Sequence, residues 1–212
     1  MKQGALELVF ILDKSGSMHS LTDDTIGGYN SVLDKQKAEK SDIVVTTVLF
    51  NNRSSILHDR VPAAVVPHIT RDDYEAHGTT ALYDAVGSAI DHIESVHHYI
   101  RPEDIPEKTL FVITTDGKEN ASHLFTREQV RKMIEQKRTE SGWEFIFLAA
   151  NIDTDEAAED IGIDRSRAAS FTAESRGIRA MYQKLDRAID QTILCSRGAI
   201  DWDAVLRDDE EN

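Results

Sequence analysis

The sequence predicts an α/β protein with a Rossmann-like, doubly wound sheet that is mostly parallel, has an antiparallel edge strand and carries helices on both faces. Short apolar runs rich in β-branched residues alternate along the chain with amphipathic stretches of helical period. The apolar runs are continuous, which is typical of parallel strands buried on both faces. The chain has 212 residues, which suits one such domain better than two.

The elements are predicted in the following order. Strands are expected over residues 5–12, 43–50, 109–115, 143–150 and 168–171, and residues 53–60 are expected to return as the antiparallel edge strand after the turn-like pair Asn51-Asn52. Helices are expected over residues 25–40, 81–99, 126–139, 153–162 and 174–195. Thr126 with Gln129, and Asp153 with Glu156, have the spacing of helix N-terminal caps. We expect one domain over residues 1–200 and an acidic, flexible tail over residues 201–212.

Composition and charge restrict the class of protein. The formal net charge is −14, and four acidic residues lie at positions 208–211. A protein with this charge is repelled by nucleic acid and by anionic lipid, so neither is an expected partner. The apolar run at residues 6–12 is too short to span a membrane and does not resemble a signal peptide. The single cysteine, Cys195, has no partner within the chain, which favours a reducing, cytoplasmic location.

Three short polar segments stand at the ends of predicted elements. Asp13-Lys14-Ser15-Gly16-Ser17 follows the first strand, Gly78-Thr79-Thr80 precedes the helix over residues 81–99, and Asp116-Gly117 follows the fourth strand. In doubly wound sheets, ligands bind beyond the carboxyl ends of the strands, where the strand order reverses. If the first and fourth strands are neighbours, all three segments meet at one edge of the sheet.

The side chains in these segments favour a hard divalent cation. Asp13 and Asp116 offer carboxylates, and Ser15, Ser17 and Thr80 offer hydroxyls. Mg²⁺ prefers octahedral oxygen coordination at about 2.1 Å and usually keeps waters. Two carboxylates balance its charge and the hydroxyls add none, so an Asp or Glu carboxylate of a protein partner would complete the coordination. The segments contain no thiolate or histidine cluster, which argues against Zn²⁺ or Cu²⁺ and leaves Mn²⁺ and Ca²⁺ as alternatives to Mg²⁺.

The D-x-S-x-S pattern in the first segment resembles the metal-ion-dependent adhesion site of von Willebrand factor A domains. The five positions of that site are matched by Asp13, Ser15, Ser17, Thr80 and Asp116. Thr79 is a weaker match for the family threonine, and the family's second aspartate usually reaches the metal through water. The resemblance covers roughly residues 7–195 and is nearest to the compact bacterial stand-alone members. It implies a Rossmann-like fold, a bound divalent metal and a protein ligand.

Each segment also has a structural interpretation when it is considered alone. Ser15-Gly16-Ser17 and Gly78-Thr79-Thr80 are compatible with helix caps, and Asp116-Gly117 is a common turn dipeptide. His19 and His77 flank the proposed site and are interpreted as residues of its rim rather than ligands. The combination of three segments at strand and helix ends favours a metal site.

The leading functional prediction is a non-enzymatic module that binds an acidic side chain of a partner through the metal. A metal-dependent hydrolase such as a phosphatase is one alternative, although the sequence has no G-x-S-x-G elbow, P-loop or second-metal ligands. A structural subunit whose metal only ties loops together is another. Nothing in the sequence predicts an oligomeric state.

Overall fold

The computed structural model describes residues 1–39, 42–195 and 200–207. The strands are β1 (Lys2–Asp13), β2 (Ile43–Phe50), β3 (Ser54–Pro62), β4 (Pro106–Thr115), β5 (Glu144–Ala149) and β6 (Ala168–Ser170). The α-helices are α1 (Thr22–Glu39), α2 (Leu82–Tyr99), α3 (Arg127–Gln136), α4 (Thr154–Asp160), α5 (Ser175–Leu194) and α6 (Trp202–Arg207). Within these ranges, no helix has the length and apolar character needed to cross a membrane.

The strands form one sheet in the order β3-β2-β1-β4-β5-β6. β3 pairs antiparallel with β2, and every other pair is parallel. The predicted fold class is therefore confirmed. The chain moves outward from β1 to β2 in one direction and from β4 to β5 in the other, so the strand order reverses between β1 and β4. The carboxyl ends of these two strands define the crevice in which such folds bind ligands.

The continuous apolar run of β1 results from burial on both faces of the sheet. Leu8, Phe10 and Leu12 belong to the core on the side of α1, α5 and α6. Val9 and Ile11 belong to the core on the side of α2, α3 and α4. Because successive strand residues point to opposite faces, covering both sides of the sheet buries consecutive side chains of the strand.

The observed elements differ from the predicted ones mainly at their ends. β1 begins at Lys2 because its exposed first residues pair with the start of β4, which does not require burial. Residues 202–207, expected to be part of a flexible tail, form α6, because Trp202 and Leu206 are buried in the core. Residues 208–212 of the predicted tail and residue 40 of the first predicted helix lie outside the described residues.

Gly28 allows α1 and α5 to approach closely. A Cβ placed on Gly28 would lie 1.9 Å from Tyr182 Cδ2, whereas one on the neighbouring Gly27 meets nothing within 4 Å. We expect Gly28→Ala to lower the free energy of unfolding by about 1–3 kcal/mol through overpacking. Gly27→Ala is the matched control and should raise it by about 0.5–1 kcal/mol, since alanine favours helix. Urea unfolding followed by circular dichroism measures both, and equal midpoints for the two variants would contradict this packing.

Asp186 on α5 destabilises the fold when it is ionised. Burial raises its pKa to about 6, with further increases from Asp190 and Glu39, and Lys35 compensates only in part. One carboxylate oxygen of Asp186 is buried without a hydrogen bond. Because the folded-state pKa exceeds the ordinary value of about 4, the wild type should lose stability as the pH rises from about 4 to 6.

Asp186→Asn removes the ionisation and is therefore expected to stabilise the protein at pH 8 by up to about 1 kcal/mol, a figure reduced because the side chain is partly exposed to solvent. The gain should disappear at pH 4. Asp190→Asn is the control, because it removes the negative charge from the 2.7 Å ion pair with Lys35 and should give no gain. Thermal unfolding of Asp186→Asn and the wild type between pH 4 and pH 8 tests this expectation. An increase in stability that is equal at pH 4 and at pH 8 would exclude ionisation as its cause.

Candidate metal site

The site lies at the carboxyl ends of β1 and β4. Asp13 is the last residue of β1, and Asp116 directly follows β4, which is the parallel neighbour of β1. The segment before α2 joins them through the backbone, because the Gly16 N–H donates to the Gly78 carbonyl at 3.0 Å. Gly78 has a φ of +80°, a conformation that favours glycine. The three polar segments therefore meet at one place, as the sequence predicts.

Short contacts connect the oxygen atoms of these segments. The Ser17 hydroxyl donates to Asp116 Oδ1 at 2.5 Å and lies 3.1 Å from Ser15 Oγ. A Cβ on Gly117 would lie 3.3 Å from Thr80 Oγ1 and 3.6 Å from Ser17 Oγ, so the Thr80 hydroxyl faces the same small space. The Ser15 N–H donates to Asp13 Oδ1 at 2.7 Å and fixes the orientation of that carboxylate.

The two carboxylates of the site are buried, and among the described residues no basic side chain pairs with them. Asp13 is 0% exposed and Asp116 is 4% exposed. Burial raises the pKa of Asp13 to about 6, an effect to which the charge of Asp116 adds, and burial also raises the pKa of Asp116. In the described parts of the chain, no lysine or arginine forms an ion pair with either carboxylate. A bound divalent cation would neutralise both, and the hydroxyls beside them are the hard oxygen donors that Mg²⁺ prefers.

Ser15 and Thr80 do not act as helix caps. Ser15 stands at the N-cap position of the short 3₁₀ helix Gly16–Leu21, but its side chain makes no capping bond. The N-cap position of α2 is Ala81, and Thr80 lies outside the helix. Neither side chain therefore caps the helix that follows it. Thr79 is exposed, whereas Thr80 is buried beside Gly117.

The flanking histidines have different environments. His77 uses both ring nitrogens, because Nδ1 lies 2.9 Å from the Glu75 carbonyl and Nε2 lies 3.2 Å from the Asn51 side-chain nitrogen. His19 is exposed on the 3₁₀ helix. Across residues 1–39, 42–195 and 200–207, no group of three or more His, Cys, Asp or Glu side chains is placed to hold a metal. A metal at this edge of the sheet therefore depends on hydroxyl groups as well as the two carboxylates.

Two residues that the sequence interpretation missed support Asp13 directly. The Thr115 hydroxyl donates to Asp13 Oδ2 at 2.6 Å. The Tyr74 hydroxyl donates to the Asp13 carbonyl and is buried beneath the site. Thr115 immediately precedes Asp116 in the sequence, so its position at the end of an apolar strand was a usable signal. Tyr74 carries no such signal because 61 residues separate it from its partner.

A second missed group clamps the loop after β4 onto the start of α2. Asn120 exchanges two hydrogen bonds with the Thr80 backbone, each 3.0 Å long. Glu119 accepts from the Tyr83 N–H at 3.0 Å, at the N-terminus of α2. Asp84 accepts the backbone N–H groups of His123, Leu124 and Phe125 at 2.8–2.9 Å. These bonds fix the position of Thr80 relative to Asp116.

Fold and site together define a class: a doubly wound α/β domain that gathers carboxylates and hydroxyls at the switch point of its sheet. The family model for the von Willebrand factor type A domain matches residues 7–184, which is most of the chain. The chain therefore belongs to the von Willebrand factor type A domain family. No curated protein sequence matches the chain significantly.

Solved structures show the same fold at low sequence identity. The von Willebrand factor domain of the type V pili tip protein Mfa5 from Porphyromonas gingivalis has a TM-score of 0.67 and 8% identity, and the match covers 90% of this chain and 97% of that one. The PilB minor pilin from Streptococcus sanguinis has a TM-score of 0.59 and 13% identity, over 91% of this chain and 63% of the pilin.

A third structure has metal bound in the corresponding kind of motif. Proximal thread matrix protein 1 from the mussel byssus, with a zinc-occupied MIDAS motif, has a TM-score of 0.58 and 15% identity. The match covers 88% of this chain and 46% of that protein. This chain thus spans less than two thirds of the length of the pilin and of the byssus protein.

Proposed function

We propose that this domain binds one divalent cation, Mg²⁺, and uses it to capture an Asp or Glu side chain of a protein partner. The proposed ligands are Asp13, Ser15, Ser17, Thr80 and Asp116, with Asp116 acting directly or through water. Thr115 and Tyr74 would hold Asp13 in place. The zinc in the MIDAS motif of the byssus protein supports a metal in this family, and the oxygen-only donor set is the reason for proposing Mg²⁺ here.

The observation that carries this proposal is the contact between two buried carboxylates, which no basic side chain of the described residues neutralises, and an exposed hydroxyl group. Ser17 is exposed, contacts Asp116 directly and lies 3.1 Å from Ser15. A cation held between these groups would have the carboxylates on its protein side and solvent on the side of Ser17. An incoming carboxylate would approach from that side and replace a water.

A binding role is favoured over hydrolysis because, among the described residues, no histidine forms a hydrogen bond with the Ser15 or Ser17 hydroxyl. Both ring nitrogens of His77 are engaged by protein groups other than the serines. Asp13 and Asp116 accept hydrogen bonds from Thr115 and Ser17 and are the groups needed to hold the cation. The pilus proteins among the structural neighbours are consistent with an adhesion-type role for the proposed module.

Calorimetric titration of the purified protein with Mg²⁺, after removal of metal with EDTA, tests the metal. We expect one site per chain and a rise in melting temperature on binding. Capture of proteins from an extract of the source cells, with Mg²⁺ or with EDTA, tests the partner. The expected result is a protein retained only with Mg²⁺. Retention of the same proteins in EDTA, or no heat of Mg²⁺ binding, would contradict the proposal.

A further inference from the structure

A cleft of about 180 Å³ opens directly beside the proposed metal site. It lies between the start of α2, the loop after β4 and helix α4, and we call it the side cleft. Gly117, the residue after Asp116, is one of its lining residues, and Ile152 and Ala157 contribute apolar surface. Pockets for cofactors usually exceed roughly 300 Å³, so this volume suits a single side chain.

The side cleft has a negative lining. Glu119, Asp153, Glu156 and Asp160 contribute carboxylates, and Lys118 contributes one ammonium group. Glu119 and Asp153 are fixed in place because they accept backbone N–H groups at the starts of α2 and α4. Asp160 forms a 3.0 Å ion pair with Arg127. Among the described residues, the carboxylate of Glu156 forms no hydrogen bond or ion pair and is exposed.

Tyr83 provides an aromatic surface in the same cleft. Burial raises the pKa of its phenol, and the negative charges of Asp160 and Glu119 raise it further. An aromatic ring beside carboxylates binds ammonium and guanidinium groups through both cation–π attraction and ion pairing. The composition of the side cleft therefore complements a cation on a short apolar stem.

We propose that the side cleft binds a lysine or arginine side chain adjacent to the acidic residue that the metal captures. This inference rests on the proposed function and specifies the partner as a segment in which Asp or Glu is next to a basic residue. Consecutive Cα atoms are about 3.8 Å apart. A partner residue next to the one whose carboxylate binds the metal would therefore lie close to Gly117 and to the side cleft that Gly117 lines. The net charge of −14 further favours a basic partner.

A set of short peptides tests this inference by NMR titration of the labelled domain in Mg²⁺. Each peptide consists of Gly and Ser with one Asp, and the residues flanking the Asp are Lys, Arg, Ala or Glu. We expect the Lys and Arg peptides to bind about three- to fivefold more tightly than the Ala peptide, as is typical of exposed ion pairs. The Glu peptide should be the weakest binder, and the preference should shrink at 0.5 M NaCl because the charges are screened.

Glu156→Gln should reduce the preference for Lys over Ala to less than twofold while leaving the affinity for the Ala peptide unchanged. The matched control is Glu103→Gln, which removes one exposed charge in the turn before β4, at the opposite end of the sheet. This control should keep the full preference. Equal affinities of all peptides for the wild type, or an equal preference in both variants, would overturn the inference while leaving the metal-dependent capture intact. Failure of every peptide to bind in Mg²⁺ would instead overturn the proposed function and this inference with it.

Discussion

Asp13→Ala is expected to weaken Mg²⁺ binding by at least about 100-fold, because residues that only support metal ligands already account for about 10- to 100-fold. Asp13 is fully buried at the end of the central strand and is held by Ser15 and Thr115. Its carboxylate would carry one of the two negative charges that neutralise the cation. Calorimetric titration measures the loss. The circular dichroism spectrum should stay that of the folded wild type, because the substitution removes a buried charge rather than part of the core.

The control for this prediction is Asp42→Ala. Asp42 lies directly before β2, at the end of the strands opposite the proposed metal site, and pairs with Lys2 at the surface. The Asp42→Ala variant should bind Mg²⁺ with the affinity of the wild type. Wild-type affinity in Asp13→Ala would show that the cation is held elsewhere.

Asp84→Ala is expected to lower the free energy of unfolding by about 2–4 kcal/mol, because three backbone N–H groups lose a charged acceptor. Those groups belong to the loop that carries Asp116 and Asn120 toward Thr80. We also expect about a tenfold loss of Mg²⁺ affinity in the protein that remains folded, since Asp84 supports the ligands without touching the metal. Urea unfolding gives the first quantity and calorimetry the second.

Asp91→Ala on the same helix provides the comparison for Asp84→Ala. Asp91 is exposed, and no hydrogen bond to its side chain is found among the described residues. Its replacement should change stability by less than about 0.5 kcal/mol. If both variants unfolded at the same urea concentration, the clamp formed by Asp84 would have no role in stability.

The sheet was predictable because burial on both faces leaves a local signal. The strand over residues 43–50 was predicted with its observed bounds, since polar residues precede and follow a run that is rich in apolar and β-branched side chains. α6 was missed for the opposite reason. A helix of six residues is too short to show a period, and it is stable only because Trp202 and Leu206 pack against the rest of the domain.

The proposed ligands were chosen from residue type and position at element ends, and the structure brings their segments together. The residues that hold them were not predictable in the same way. Asn120 contacts Thr80 across 40 residues, and Glu119 contacts Tyr83 across 36. Such partners become visible only when the strand order places the loop after β4 beside the start of α2. The cytoplasmic location and the identity of the metal stay predictions.

Diffraction from crystals grown with Mn²⁺, recorded where manganese scatters anomalously, tests the central claim most directly. We expect one strong anomalous peak per chain, with the Ser15 and Ser17 hydroxyls at about 2.1–2.3 Å and Asp13 or Asp116 directly or through water in the same coordination shell. The peak should be absent from crystals of Asp13→Ala. A peak at another place on the molecule, or none between β1 and β4, would contradict the assignment of these residues as a metal site.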